Sequence, residues 1–407
     1  MPDTQDKEAT DILSRLSGES GIPVKGAKIR RTSSRFCLGV EHGDYNGTEL
    51  FGMGTDRFIW MAYRPNSSGR IRIFSGNFPD DGIIDFKLGN TPAPLSPEIA
   101  NTWGRFIFGV DHTLHKEGHK LQKGLDAILY GNIPGGGMSR SASLTLNLLL
   151  SLLDVNGIVV NDMFRIVDMA QTVETDYIGS PCGQLDQIMI LFAKEGLGTH
   201  YDPKKREIKY IPLAGEPDFR LVSLDTGTVR PGLEKSTYRI RRAECEEFVS
   251  ILQKNYDINH LADIKDKDTY DRIYAEYSNL HPDLCSRLKY IFRAQQRFNQ
   301  MLDAWKQGDI ARVGALFRLD GYGLRDDYNI SGPELETMCD IVRTVDGVYG
   351  ERMLGGGDKG VSGAICRSNS IPDVKMAVDS TFPRCYPSLA DKYAVHSLRL
   401  VDGIKVL

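Results

Sequence analysis

The sequence has no Cys-x-x-Cys pair, and its glycine-rich stretch at Asn132 to Leu153 has neither the Gly-x-Gly-x-x-Gly spacing nor the lysine of a Walker motif after its glycines. That stretch is therefore neither of the two commonest nucleotide fingerprints. The chain's seven cysteines are odd in number and scattered from Cys37 to Cys385, which argues against a disulfide framework or a zinc site and fits a reducing compartment. The longest apolar run, Leu144 to Leu153, is interrupted by Asn147 and Ser151 and is too short to span a bilayer. No sign of charge dominates: 50 basic against 54 acidic residues leave a net charge of -4, so nothing invites nucleic acid or an anionic membrane. No repeat or low-complexity segment is present. The opening MPDTQDKEATDILSRL is polar and acidic and has no signal-peptide core. These absences lead us to expect a cytoplasmic protein with neither nucleic acid nor membrane as partner.

What is present is a soluble composition, 41% hydrophobic and 26% charged, over 407 residues, a length that suits two packed domains. The most informative stretch is Asn132 to Leu153, where Pro-Gly-Gly-Gly runs into a long apolar segment. Gly135, Gly136 and Gly137 have no Cβ, so their N–H groups can crowd around an anion. Ser139, Arg140, Ser141 and Ser143 follow where a helix has unpaired N–H groups and the positive end of its dipole. A phosphate would be stabilised there, although an ordinary loop before a capped core helix has the same composition. In the turn VEHGDYNG, Glu41, His42 and Asp44 follow Arg35 closely and precede an Asn46-Gly47 turn signal. Carboxylates and imidazole suit vicinal hydroxyls, whereas a solvated turn with internally paired charges is the plainer alternative.

Periodicity predicts a short amphipathic helix over 4–17, a strand over 28–40 and antiparallel strands between Phe58 and Phe86. A helix is expected over 100–114 after the Pro-rich TPAPLSPE, followed by the apolar helix behind the glycines and helical structure over 161–176. Pro181-Cys182-Gly183 then breaks the pattern before a new element over 185–192, and residues 284–346 read as helices with one buried stripe.

Several of these stretches together carry a family resemblance. PGGGMSRSAS resembles the second motif of the GHMP small-molecule kinases in its galactokinase form, and TSSRFCLGVEHGDYNG resembles the galactokinase signature, with departures at Ser33, Ser34, Cys37, Gly39, Val40 and Gly43. GSPCGQLDQ, TYRIRRAECEE and LRDDYNISGPEL match further family segments. Gly355 to Gly357 match the third glycine motif, where Leu354, Asp358 and Lys359 depart, and Asp320-Gly321 stands where the family has Ser-His.

The resemblance implies an α+β, two-domain architecture: an N-terminal α/β domain over 1–200, a C-terminal α+β domain over 201–407 and the active site in the cleft between them. It implies ATP-dependent phosphorylation of the anomeric hydroxyl of a monosaccharide, most readily galactose. Arabinose or galacturonate as acceptor, or a catalytically silent sensor of galactose and ATP, are the alternatives. By the same resemblance Asp186 and Arg35 are catalytic, and Glu41, His42, Asp44, Gly183 and Tyr238 bind the sugar. Trp103, Gly135, Gly136, Gly137, Ser139, Arg140 and Ser141 hold ATP, and Ser141 and Glu174 hold Mg²⁺. Trp103 is equally suited to core packing, and Arg140, which replaces a serine, either faces the phosphates or solvent. Cys182 is read as a small buried residue. Nothing in the sequence singles out an interface, so a monomer or weak dimer is expected.

Overall fold

The computed structural model describes residues 4–215, 217–229 and 235–407. Helix α1 (Thr4–Ser20) buries Ala9, Leu13 and Leu16 against Phe58, Trp60 and Ile128. Its buried Asp6 accepts from Arg31 Nη1 at 2.8 Å and from Trp60 Nε1 at 2.8 Å, so the carboxylate is paired where water is excluded.

Strands β1 (Lys28–Gly39) and β2 (Leu50–Asn66) form a long antiparallel pair. The register shifts between Ser33 and Ser34 and again between Cys37 and Gly39. Such irregularities re-aim side chains, and Arg35 lies between them. The expected antiparallel pairing holds for β3 (Arg70–Ser75) with β4 (Ile83–Lys87). However, β3 lies parallel to β5 (Gly124–Gly131), with Ile73 opposite Ala127. Helix α2 (Arg105–Lys116) makes the crossover that a parallel pair requires. It starts after the expected residue 100, because 100–104 turn and Gly104 takes the N-cap.

Helix α3 (Arg140–Val155) is the expected helix behind the glycines and is buried over most of its surface, including Leu146, Leu148, Leu149 and Leu152. Each fully buried leucine is worth about 2 kcal/mol, so packing holds this helix more than any cap. Helix α4 (Met163–Thr172) ends in a wide helical turn over Val173–Ile178, and α5 (Leu185–Leu191) follows the Pro-Cys-Gly break. Strands β6 (Leu197–Asp202) and β7 (Glu207–Pro212) extend the first sheet from β2.

The second sheet has the order β11-β8-β10-β9, from β8 (Arg220–Asp225), β9 (Val348–Met353), β10 (Val361–Cys366) and β11 (Ala394–Leu398). Helices α9 (Ile310–Tyr322), α10 (Pro333–Arg343) and α11 (Ile371–Cys385) pack on it, while α6 (Thr237–Leu252) and α7 (Lys267–Tyr277) pack on α8 (Pro282–Gln307), which lies against α9. Strand β12 (Ile404–Val406) returns to the first sheet, placing Val406 opposite Arg30. A boundary at 200/201 would cut β6. The division we propose instead follows β7, with the last strand crossing back. Among the described residues no helix is long and apolar enough to cross a membrane.

Candidate active site

A cavity of about 610 Å³ is bordered by both glycine turns, and every residue assigned to a site by resemblance lines it. At one end the turn from β5 into α3 forms the cradle. Gly137 has φ +81° and a Cβ there would come 2.8 Å from Leu354 O, so only glycine fits. Ser139 occupies the helix N-cap but in the left-handed region, φ 61°, and its side chain makes no capping bond. Its buried Oγ has no partner among the described residues. A buried hydroxyl without a partner beside a helix N-terminus is suited to an anion that brings its own acceptors.

Ser141 donates to Glu174, which also accepts from Gln187 Nε2 at 3.1 Å. Burial pushes the Glu174 carboxyl up to about 7, against these hydrogen bonds. A nearby cation would restore its charge. One hydroxyl and one carboxylate beside a phosphate cradle fit Mg²⁺, which takes few protein ligands and completes its shell with water and phosphate oxygen. Among the described residues there is no cluster of three or more His, Cys, Asp or Glu suited to a metal.

Arg140 is exposed, with its Cζ 5.7 Å from the centroid of the Phe78 ring. Trp103 is buried at the same end, its Nε1 without a partner among the described residues.

At the other end Arg35 is buried and organises three groups. Nε donates to Asp186 Oδ1 at 2.8 Å, Nη1 to Gly137 O at 2.7 Å and Nη2 to Glu41 Oε1 at 3.2 Å. Arg35 thus ties the acid to the cradle. Asp186, in the first turn of α5, retains 32% side-chain exposure, enough to be reached from the cavity. Asp44 accepts from Tyr45 N at 3.0 Å and Leu185 N at 3.1 Å, while burial raises its pKa. Gly183 lies against it: a Cβ there would fall inside the Asp44 carboxylate. His42 has φ 59°; its Nδ1 lies 3.0 Å from Tyr45 OH and its ring centroid 5.0 Å from that of Tyr238. Cys182 is buried and its thiol pushed far up, as expected of a packing residue.

Other participants were missed from sequence. Arg242 Nη1 donates to Pro181 O and Cys182 O, both at 3.1 Å, holding the loop that presents Gly183. Asp358, a departure from the third motif, accepts from Thr237 N at 2.8 Å and so fixes the start of α6 beneath Tyr238. Arg352 Nη2 donates to Glu41 Oε2 at 2.8 Å. Only its position just before the third glycine turn could have drawn attention to it.

A model of the GHMP kinases N-terminal domain matches residues 105–194. The galactokinase of Limosilactobacillus fermentum is 31% identical over 362 residues, covering 88% of this chain and 90% of that protein. That of Streptococcus thermophilus is 32% identical over 358 residues, covering 86% and 87%. Among solved structures, Lactococcus lactis galactokinase complexed with galactose is similar with a TM-score of 0.88 at 24% identity, covering 98% of this chain and 100% of that one. Methanococcus jannaschii mevalonate kinase shares the fold with a TM-score of 0.64 at 14% identity, covering 93% and 100%.

Proposed function

Because the chain belongs to the galactokinase branch of the GHMP kinases, we propose that it transfers the γ-phosphoryl group of ATP to the anomeric hydroxyl of D-galactose. The observation that carries this reading is the Arg35–Asp186 pair, joined through Gly137 O to the phosphate cradle in one cavity.

Phosphoryl transfer asks a protein chiefly for positioning and charge stabilisation. In our reading the N–H groups of Gly135 to Gly137 and the first turn of α3, with the Ser139 and Ser141 hydroxyls, hold the phosphates. Trp103 packs beside the base and Arg140 adds charge at the nucleotide end. Glu174 and Ser141 would hold Mg²⁺, which when bound neutralises phosphate charge. His42, Asp44, Gly183 and Tyr238 hold the sugar, and the lone pairs of Glu41 not taken by arginine remain for a hydroxyl. Asp186 aligns the anomeric hydroxyl and takes its proton at a carboxylate oxygen as the O–P bond forms and the bond from the γ-phosphorus to the bridging oxygen of the departing ADP breaks. Arg35 keeps that carboxylate in place. The sites lie in the cleft of a cytoplasmic monomer or weak dimer.

The test is ATP-dependent phosphorylation across galactose, arabinose, galacturonate, glucose and N-acetylgalactosamine with Mg²⁺. Turnover on galactose should fall by about 10² to 10⁴ in Asp186→Asn. Preference for another sugar would overturn the substrate, and no turnover despite binding of galactose and ATP would make the protein a sensor.

A further inference from the structure

The Arg35–Asp186 pair is one end of a longer buried chain of charge. Glu41 accepts on both oxygens, from Arg35 Nη2 at 3.2 Å and from Arg352 Nη2 at 2.8 Å. Arg352, on β9, has a side chain with 0% exposure. It also donates Nη2 to Cys37 O at 2.9 Å and Nη1 to Asp320 Oδ2, and its Cζ lies 4.5 Å from the centroid of the Phe317 ring. Asp320, on α9, accepts on its other oxygen from Arg297 Nη2 at 2.8 Å. Tyr290 OH closes the assembly by donating to Glu41 O at 2.9 Å.

Three cations therefore alternate with three carboxylates from Asp186 to Arg297. Removing one partner of a buried pair leaves an uncompensated charge, so each member fixes the next. Arg352 comes from the second sheet and Glu41 follows β1 of the first, so their contact joins the two layers directly behind the reacting groups. Arg352 does not line the cavity; its side chain reaches the chemistry through Glu41, and its bond to Cys37 O steadies the strand that carries Arg35. Its path is opened by Gly321, where a Cβ would come 2.6 Å from Arg352 Cβ. Asp320 and Gly321 are the pair that departs from the Ser-His of the family.

We propose that Arg352, clamped by Asp320, is a positioning residue for phosphoryl transfer: it holds Glu41, which holds Arg35 against Asp186. This rests on the sugar-kinase reading above. Asp320-Gly321 is this chain's own means of seating Arg352, the aspartate supplying the counter-charge and the glycine the space. A lysine cannot reproduce the forked contacts of Arg352 to Glu41, Cys37 O and Asp320.

The experiment compares the parent enzyme with Arg352→Lys, Asp320→Asn and Asp320→Glu. Binding stoichiometry for galactose and a non-hydrolysable ATP analogue is measured by calorimetry, and kcat is expressed per binding site well below each variant's Tm. A displacement of about 1 Å costs on the order of 10²-fold in rate. Arg352→Lys should therefore lose about 30- to 100-fold in kcat per site, with KM for ATP within about twofold of the parent. Asp320→Asn should lose about tenfold, and Asp320→Glu should recover part of that loss. Parent-like kcat per site in Arg352→Lys and Asp320→Asn, with only a lower Tm, would reduce the network to scaffolding and overturn the proposal. If Arg352→Lys does not fold, Asp320→Asn and Gly321→Ala decide by the same criterion, since both disturb Arg352 from outside. A parent silent on every sugar would overturn the kinase reading itself, a result distinct from an active parent with unaffected variants.

Discussion

Gly137 and Gly355 meet backbone to backbone: a Cβ on Gly355 would lie 2.7 Å from Gly137 Cα. The two glycine turns, far apart in sequence, are one structure. The second braces the first from behind, and Arg35 Nη1 bonds the same Gly137 from the front. Both turns are poor in side chains because each occupies the space that the other would need.

Gly355 has φ +69°. Gly355→Ala carries a left-handed penalty of about 1–2 kcal/mol in addition to the clash. We expect a lower Tm and a KM for ATP raised about tenfold, with sugar affinity retained. Parent-like nucleotide kinetics would separate the second turn from the cradle.

Gly183→Ala should act on the sugar. Its Cβ would displace the Asp44 carboxylate, so KM for galactose is expected to rise at least about tenfold, the effect of a lost charged hydrogen bond. Steady-state kinetics with ATP held saturating measures it. An unchanged KM would detach Asp44 from sugar binding.

Glu174→Gln keeps the shape of a buried side chain but removes the charge. Loss of a ligand should cost at least the roughly 10-fold typical of disturbing a metal's supporting shell. The Mg²⁺ concentration for half-maximal rate should rise by that factor, with galactose binding in calorimetry unaltered.

Arg140→Ser should leave the fold intact and raise KM for ATP about three- to fivefold, as for loss of a cation at a partly exposed site. Unaltered nucleotide binding and turnover would remove any phosphate role and leave Arg140 as a partner of Phe78.

His396, on β11, has its imidazole pushed down to about 4 by burial and then by Arg57, with Asp56 opposing. The unfolded chain therefore takes up the proton first as pH falls. Stability from this group is intact above about pH 6.5 and is lost progressively toward pH 4. His396→Gln should flatten the dependence of Tm on pH across that window. An identical slope in the variant would place acid sensitivity elsewhere.

The signals legible in the sequence are local ones. Glycines followed by a serine run mark a cradle at a helix start because N–H geometry and dipole are set within one turn. The turn holding Glu41, His42 and Asp44, and the Pro-Cys-Gly break before Asp186, are likewise short-range patterns. The apolar run of α3 identified a buried helix, since its burial extends around most of the helix. By itself, then, the sequence determined the family and the set of side chains that line the cavity.

Tertiary structure decided which remote groups lean on one another. No spacing rule pairs Arg352 with Glu41, sets β3 parallel to β5, or brings β12 back to β1, because strand pairing depends on where the intervening chain travels. Ser139 in the left-handed region and Asp320 between two arginines follow from crowding and desolvation at one point in space. Periodicity reports which face of an element is buried. The partner that makes a buried charge tolerable is chosen only when the layers close.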